Sequence, residues 1–248
     1  MARLHVTAWG NPDGRAVVCV HGVTGHGGRF RRLAERLTAH RVVGVDLRGH
    51  GRSTWQAPWG IETHVADLAE TAGDLGLHSA TWVGHSFGGR LVPELAKRHP
   101  DLVERAVLLD PAMHIDPAVA TANAEALLGG LSFGSPDEAI DARLGDGTLY
   151  STPRETLVEE AHVHLDVGED GRYRWRYSLA AVIAAWSEMA TTPPLYPSVP
   201  TLLVLGKRSW IPPYAPETGG LQVVRVPGGH SVLWDDSELV ADAVEAFL

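Results

Sequence analysis

The sequence predicts an α/β protein: a mostly parallel central sheet of about eight strands, flanked by helices and carrying an inserted helical cap. Two observations lead to this fold class. Short, continuously apolar runs alternate along the chain with stretches of helical periodicity. That alternation stops after residue 111 and resumes at about residue 197. Because 248 residues suffice for one large domain, we expect a single core interrupted by this insertion.

The strands of the core are predicted from one continuously apolar run, as expected for a strand buried on both faces, and from five similar, largely apolar segments. These segments are 16–20 (AVVCV), 41–45, 80–83, 105–109, 201–205 and 221–226. Segment 4–9 is a candidate for an extra edge strand. Helices are predicted where apolar residues recur three and four positions apart, at 28–38, 61–75 and 237–248, the last with Ser237 as its N-cap.

The domain organisation follows from these elements. We expect residues 1–111 and 197–248 to form the core, and residues 112–196 to form the helical cap. The cap stretch contains helical segments and no convincing buried strand. Four prolines between residues 193 and 200 are typical of a linker that returns the chain to the core.

Composition restricts the partners and the compartment. A net charge of -9 disfavours a nucleic-acid partner, because phosphate neutralisation needs clustered cations. Cys19 is the single cysteine, so no intrachain disulfide can form, which suits a reducing compartment. The first ten residues lack the basic head and apolar stretch of a secretory signal, and the apolar runs are too short to cross a bilayer. We expect a cytoplasmic protein with a small-molecule substrate, and no oligomeric state is predicted.

A serine on a sharp turn is the strongest sign of chemistry. Gly84-His85-Ser86-Phe87-Gly88 directly follows the segment ATWV and precedes a helical stretch at 90–98. Such a turn projects the serine oxygen above the sheet and requires small residues two positions away on each side. Pro93, where the helix should be running, predicts a kink or a late helix start.

Two backbone amides are predicted to stabilise negative charge beside that serine. The glycine-rich turn His21-Gly22-Val23-Thr24-Gly25 follows the first buried strand, and a turn of this kind can aim amides at a reaction centre. We expect one donor to be the amide of Val23 and the other to be the amide of Phe87. His21 is expected to hold the loop in place and to take no part in the chemistry.

The candidate base is His230, within Pro227-Gly228-Gly229-His230-Ser231. It lies after the last predicted strand and before the final helix, on a loop that can reach the sheet end where Ser86 stands. A neutral imidazole there can take the serine proton and later return it to a leaving group. The polar loop at 46–53 (DLRGHGRS) is expected to brace the site structurally.

These motifs together resemble those of the α/β-hydrolase superfamily, and the likeness covers nearly the whole chain. The matching stretches are HGVTG at 21–25, DLRGHGRS at 46–53, GHSFGG at 84–89, LLDPA at 108–112 and PGGHS at 227–231. The resemblance is specific for fold and implies a serine nucleophile, an acid and a histidine in that chain order. Haloalkane dehalogenases of this fold carry aspartate at the turn, so Ser86 argues against that activity.

The acid is where the sequence departs from the family pattern. After Leu205, where the acid often follows the post-cap strand, the chain reads Gly206-Lys207-Arg208-Ser209-Trp210 without a carboxylate, and Glu217 is the next acid. In some members the acid follows the strand before the cap, where Asp110 stands, so we assign Asp110. Its alternative role is to cap the turn before Pro111. Substitutions at Ser209 and Glu217 are expected to do little.

Two nearby aspartates, Asp235 and Asp236, follow His230 too closely to serve it and are expected to cap the last helix. The stretch His162-Val163-His164-Leu165-Asp166 has metal-ligand spacing, but no further ligands can be named for it. We therefore expect a solvated helix face or a cap turn there, and no metal. No cofactor is predicted either, since the chain has no P-loop and no dinucleotide-binding motif.

The motif set predicts a serine hydrolase that cleaves a small to medium carboxylic ester through an acyl-enzyme on Ser86. Lactone hydrolysis and carbon–carbon bond hydrolysis use the same residues and stay open, as does a ligand-binding receptor of low turnover. Aromatic and apolar residues of the cap region predict an apolar substrate pocket, although each also fits plain packing: Met113, Phe133, Trp175, Tyr177, Trp186 and Trp210.

Overall fold

A seven-stranded sheet forms the centre of the protein in the computed structural model, which describes residues 4–214 and 220–248. In chain order the strands are β1 (Val6–Gly10), β2 (Ala16–Val20), β3 (Arg41–Val45), β4 (Ala80–His85), β5 (Val103–Leu109), β6 (Leu165–Val167), β7 (Tyr173–Trp175), β8 (Thr201–Gly206) and β9 (Leu221–Val226). The central sheet has the order β1-β3-β2-β4-β5-β8-β9. Only β1 at the edge pairs antiparallel; all other pairs in this sheet are parallel. The predicted mostly parallel sheet and its extra edge strand are confirmed, with seven strands where about eight were expected.

Helices cover both faces of the sheet, as the alternation of elements predicted. They are α1 (Arg31–Arg36), α2 (Ile61–Asp74), α3 (Phe87–Arg98), α4 (Pro117–Leu127), α5 (Pro136–Gly145), α6 (Arg154–His164), α7 (Leu179–Met189), α8 (Val232–Asp235) and α9 (Ser237–Phe247). The helix predicted at 28–38 is a 3₁₀ turn, Gly27–Phe30, followed by the short α1. Helix α3 begins directly at Phe87 with Pro93 inside it, so the late start is excluded.

Burial on both sides explains the apolar sequences of the inner strands, whereas the edge strand β9, which was predicted to be buried, has exposed residues such as Val223. In β2, Val18 and Val20 join the apolar cluster that includes α2 and α3, whereas Val17 and Cys19 join the cluster that includes α1 and α9. Successive side chains of a strand point to opposite faces, so a strand between two helical layers must be apolar at every position.

The chain between β5 and β8, called the inserted segment below, contains helices α4 to α7 and a short hairpin, β6 paired with β7. The strands of this hairpin are three residues each and were not predicted. Apolar side chains of the segment, such as Ile140, Leu157 and Val182, belong to the same cluster as α2 and α3. The insertion therefore shares the apolar core on that side of the sheet.

None of the helices in residues 4–214 and 220–248 is both long enough and apolar enough to span a lipid bilayer.

Candidate active site

Ser86 occupies the turn between β4 and α3, where its backbone has a φ of 54° and a ψ of -117°. This region costs a non-glycine residue about 1–3 kcal/mol and persists only where neighbours enforce it. A Cβ at Gly84 would lie 2.4 Å from the carbonyl oxygen of Gly88, and one at Gly88 would lie 2.1 Å from that of Val20. The glycine spacing seen in the sequence is thus required by backbone contacts.

A continuous series of hydrogen bonds joins the three residues that the sequence proposed. The Nε2 atom of His230 lies 2.9 Å from the Ser86 hydroxyl, and Nδ1 lies 2.7 Å from a carboxylate oxygen of Asp110. Because an ionised carboxylate can only accept, Nδ1 carries the proton and Nε2 is left to accept from the serine. Ser86 and Asp110 are buried, and 12% of the His230 side chain is exposed. The structure thus brings the three residues together.

Asp110 is held on both carboxylate oxygens. It follows β5, and its Oδ1 accepts the Gly206 amide at 3.0 Å. The oxygen that accepts from His230, Oδ2, also accepts from the Ser209 hydroxyl. Ser209 lies in the loop after β8, the stretch without a carboxylate. This contact of Ser209 with Asp110 was not predicted from the sequence, and Glu217 lies outside the described residues.

The loop that carries His230 is fixed by two aspartates with an unexpected role. Asp235 accepts the amide of Gly229 at 2.8 Å, and Asp236 accepts the amide of Gly228 at 2.6 Å. Neither side chain forms the expected cap: α9 has no side-chain hydrogen bond at its N-terminus. These carboxylates fix the backbone that places His230 beside Ser86, a role that their sequence position does not reveal.

His85 supports the same loop from the serine turn. Its Nε2–H donates to the carbonyl oxygen of His230 at 2.9 Å. Burial, together with the nearby His230 ring, lowers the pKa of His85 to about 3. His85 is therefore neutral at pH 7 and acts as a hydrogen-bond donor that fixes the His230 backbone.

The loop after β2 approaches Ser86 closely. A Cβ at Gly22 would lie 2.7 Å from the Cβ of Ser86. Within the described part of the chain, the amides of Val23 and Phe87 have no hydrogen-bond acceptor, as donors reserved for a ligand would require. His21 fixes this loop as predicted: its Nδ1–H donates to the Gly22 carbonyl at 2.7 Å, and its Nε2 accepts the Leu47 amide at 2.9 Å.

The polar loop at 46–53 supports this turn from behind. Asp46 accepts the Gly27 amide at 2.7 Å through one oxygen and the Arg52 amide at 2.9 Å through the other. Arg48 forms a two-point ion pair with Asp67 of α2, at 2.7 and 2.6 Å. The predicted structural role of this loop is confirmed.

A cavity of about 260 Å³ opens beside Ser86 and His230, between the core and the inserted segment. Five of the aromatic residues predicted for it do line it: Phe133, Trp175, Tyr177, Trp186 and Trp210. The prediction that Met113 lines the cavity was wrong. Met113 is buried away from the cavity wall, and its carbonyl accepts from the Arg90 guanidinium. Trp210 also contacts the His230 ring edge-on, with the ring centres 5.5 Å apart.

The histidines of the apparent metal motif are placed differently from each other. His162 is exposed, whereas His164 is buried and stacks on His26 with the ring centres 4.4 Å apart. A solvated face was thus the wrong expectation for His164. Among residues 4–214 and 220–248, no three or more His, Cys, Asp or Glu side chains are grouped to hold a metal ion.

Ser86, His230 and Asp110 are joined by hydrogen bonds beside a cavity, and comparison with known proteins agrees with the fold. Residues 15–143 match the family model described as the alpha/beta hydrolase fold. The chain therefore belongs to the α/β-hydrolase family.

Two curated relatives cover most of the chain. It is 39% identical over 187 residues to Lipase LipV of Mycobacterium tuberculosis, an alignment that spans 75% of this chain and 71% of the relative. It is 31% identical over 255 residues to the sn-1-specific diacylglycerol lipase ABHD11 of Mus musculus, spanning 94% and 80%. The family thus includes relatives that are hydrolases.

Solved structures extend the likeness over the full length of the chain. E-2-(acetamidomethylene)succinate hydrolase superposes with a TM-score of 0.85 at 23% identity, covering 100% of this chain and 98% of that one. The enol-lactonase from Burkholderia xenovorans LB400 superposes with a TM-score of 0.78 at 19% identity, covering 99% and 96%. At these identities the likeness concerns the fold.

Proposed function

We propose that this protein is a serine hydrolase that cleaves a small to medium carboxylic ester through an acyl-enzyme on Ser86. The observation that carries the proposal is the hydrogen-bonded series from Asp110 through His230 to Ser86 at the edge of an apolar cavity. Both curated relatives are named lipases, which favours an ester as the substrate.

In the first half of the reaction, Nε2 of His230 takes the hydroxyl proton as Ser86 Oγ bonds to the ester carbonyl carbon. The carbonyl oxygen becomes an oxyanion, to which we assign the amides of Val23 and Phe87 as donors. Asp110 keeps His230 in the required tautomer and stabilises the imidazolium. The imidazolium then gives its proton to the leaving alcohol as the carbon–oxygen bond breaks, which leaves the acyl group on Ser86.

In the second half, water replaces the alcohol. His230 takes a proton from this water, whose oxygen attacks the acyl carbon, and the same two amides hold the new oxyanion. When the bond to Ser86 Oγ breaks, His230 returns the proton to the serine and the carboxylic acid leaves. The enzyme is restored with no cofactor entering or leaving.

The size and lining of the cavity support a substrate with an apolar part. A volume of about 260 Å³ lies just below the usual range of about 300–1,000 Å³ for small-molecule sites. Leu127, Leu131, Phe133, Trp186 and Ile211 all contribute carbon surface to it. We propose that the inserted segment acts as a cap, because it supplies most of this wall and so limits the length of the group that fits.

The test compares hydrolysis of p-nitrophenyl acetate and butyrate by the wild type, by Ser86→Ala and by the control Ser187→Ala. Ser187 is exposed on α7 and has no part in the proposed reaction. We expect turnover by the wild type and the control, and a loss of at least roughly 10³-fold in kcat for Ser86→Ala. A fluorophosphonate should label the wild type and the Ser187→Ala control, and it should fail to label Ser86→Ala.

Other outcomes would change the proposal in different ways. Turnover of lactones that depends on Ser86, with no turnover of the esters, would replace the ester by a lactone. Absence of turnover together with absence of labelling would favour a binding protein of the same fold. Ester turnover that survives in Ser86→Ala would contradict the assigned nucleophile.

A further inference from the structure

A buried ionic cluster links the inserted segment to the loop that bears Val23. Glu160, on α6, accepts from Nε of Arg29 at 2.8 Å and from Nε2 of His26 at 3.0 Å. The Nδ1 atom of His26 accepts the amide of Gly28, so Nε2 carries the proton and donates. One carboxylate of the insertion is thereby bonded to two residues next to the β2 loop.

Arg29 passes this contact on to the loop itself. A second guanidinium nitrogen, Nη2, lies 2.7 Å from the same Glu160 oxygen and donates to the carbonyl oxygen of Thr24 at 2.8 Å. Arg143 of α5 donates to the Thr24 hydroxyl at 3.1 Å, so the inserted segment reaches this residue by two routes. Thr24 directly follows Val23, so contacts that fix the Thr24 backbone also restrict the position of Val23, whose amide is the proposed donor.

Thr24 needs such support because its backbone lies in the left-handed region, with a φ of 62°. A β-branched residue rarely adopts this conformation, which persists only when several surrounding contacts stabilise it. The two arginines and the buried carboxylate supply those contacts. Without them, the loop has a local energetic reason to relax away from the geometry described here.

The cluster is held as a charged unit. Glu160 is 6% exposed, and the Arg29 side chain is 9% exposed. Burial by itself would raise the pKa of the Glu160 carboxyl, but the Arg29 guanidinium and His26 hold the pKa below its ordinary value. The carboxylate is therefore ionised at neutral pH, and Arg29 has a partner that fixes its direction.

We propose that Glu160 is a positioning residue for the reaction: through Arg29 and Thr24 it holds the Val23 amide where the oxyanion forms. This inference rests on the proposed function. It assigns to a residue of the inserted segment, remote from the reacting atoms, an effect on transition-state stabilisation in addition to any effect on substrate size.

The test compares Glu160→Gln with Glu159→Gln on p-nitrophenyl butyrate. Glutamine keeps the shape of the side chain but replaces one acceptor oxygen by an NH₂ donor, which must face the donors of Arg29 or His26. Glu159 is the matched control, because it is the neighbouring acid on the same helix and forms an exposed pair with Arg32 at 3.0 Å. Arg29→Lys is the second variant, since lysine keeps the charge but lacks the planar guanidinium fork that contacts Glu160 and Thr24 together.

We expect Glu160→Gln and Arg29→Lys to lower kcat roughly 10- to 100-fold with KM within about threefold of the wild type. A butyl trifluoromethyl ketone adds to the Ser86 oxygen and forms a tetrahedral oxyanion, so its inhibition constant should weaken by about the same factor as kcat/KM falls. Butyrate, which carries no tetrahedral oxyanion, should bind equally well. Glu159→Gln should stay within twofold of the wild type.

The proposal is overturned if both test variants keep kcat within twofold. It is also overturned if ketone and butyrate binding weaken in parallel, or if both variants lose a cooperative thermal transition, because the cluster would then only support the fold. Failure of the proposed function has a different signature: the wild type and Glu159→Gln would themselves show no turnover that depends on Ser86.

Discussion

His64→Leu should remove a defined part of the acid sensitivity of this fold. His64 lies on α2, is 1% exposed and meets the ring of Phe87 edge-on, with centres 5.6 Å apart. Within the described part of the chain, neither of its ring nitrogens has a hydrogen-bond partner. Burial, with smaller effects of His50 and Arg48, lowers the pKa of His64 to about 3. A charged imidazole therefore cannot be accommodated beside the residue that follows the nucleophile.

The size of the effect follows from proton linkage. Above pH 6.5 the imidazole is neutral in both the folded and the unfolded chain and contributes no pH dependence. As the pH falls below 6.5, His64 takes up a proton in the unfolded chain but stays neutral in the folded chain. The free energy of unfolding therefore decreases. A pH of 5 lies about 1.5 units below the pKa of an unfolded imidazole. The free energy of unfolding therefore falls by about 2 kcal/mol on account of His64.

Urea unfolding, followed by tryptophan fluorescence at pH 8 and pH 5, measures this quantity. Between these pH values, His64→Leu should lose about 2 kcal/mol less free energy of unfolding than the wild type. At pH 8 the variant should be about as stable as the wild type or more stable, since leucine buries no unpartnered nitrogen. The control is His78→Leu at an exposed position, which should follow the wild type. Equal losses in His64→Leu and the wild type would refute the reasoning.

The other expected outcomes concern the acid and the glycine turn. Asp110→Asn should lower kcat by about 10⁴-fold, and Ser209→Ala should lower it by about 10-fold with unchanged KM, because Ser209 supports only one oxygen of the acid. Steady-state kinetics on p-nitrophenyl butyrate measures both effects. Equal effects of the two substitutions would contradict this order. Gly88→Ala should prevent stable folding, since its Cβ would meet the Val20 carbonyl oxygen at 2.1 Å. Gly73 has open space around it, so Gly73→Ala should raise the free energy of unfolding by about 0.5–1 kcal/mol, measured by thermal or urea unfolding. A Gly88→Ala protein that melts like the wild type would show that the turn can relax.

The strands of the sheet could be predicted because their sequences have one physical reading. A run such as Ala16–Val20 is apolar at every position, and only burial on both faces makes that pattern favourable in water. Once the strands are located, parallel order places the ends of β4 and β5 at one edge of the sheet. The placement of Ser86 beside Asp110 follows from this, because both residues come directly after these strands.

Contacts made by side chains after a turn could not be predicted in the same way. Asp235 and Asp236 have the composition of a helix cap, and caps are their commonest role in such a position. Whether they bond to α9 or fold back to Gly228 and Gly229 depends on the direction of the loop, which the local sequence leaves open. Ser209 is similar, because its partner is 99 residues away in sequence.

Helix α6 shows where a stricter reading of the sequence would have gone further. Its buried side chains, Thr156, Leu157, Glu160, Ala161 and His164, recur at helical spacing and form one stripe. Successive residues of a helix point about 100° apart, so Leu157 and Ala161 place Glu160 inside and leave Glu159 to solvent. A carboxylate on an apolar stripe needs a buried cationic partner, since an unpaired buried charge is strongly unfavourable. The pattern thus predicts that Glu160 has such a partner, but only the fold identifies it as Arg29, 131 residues away.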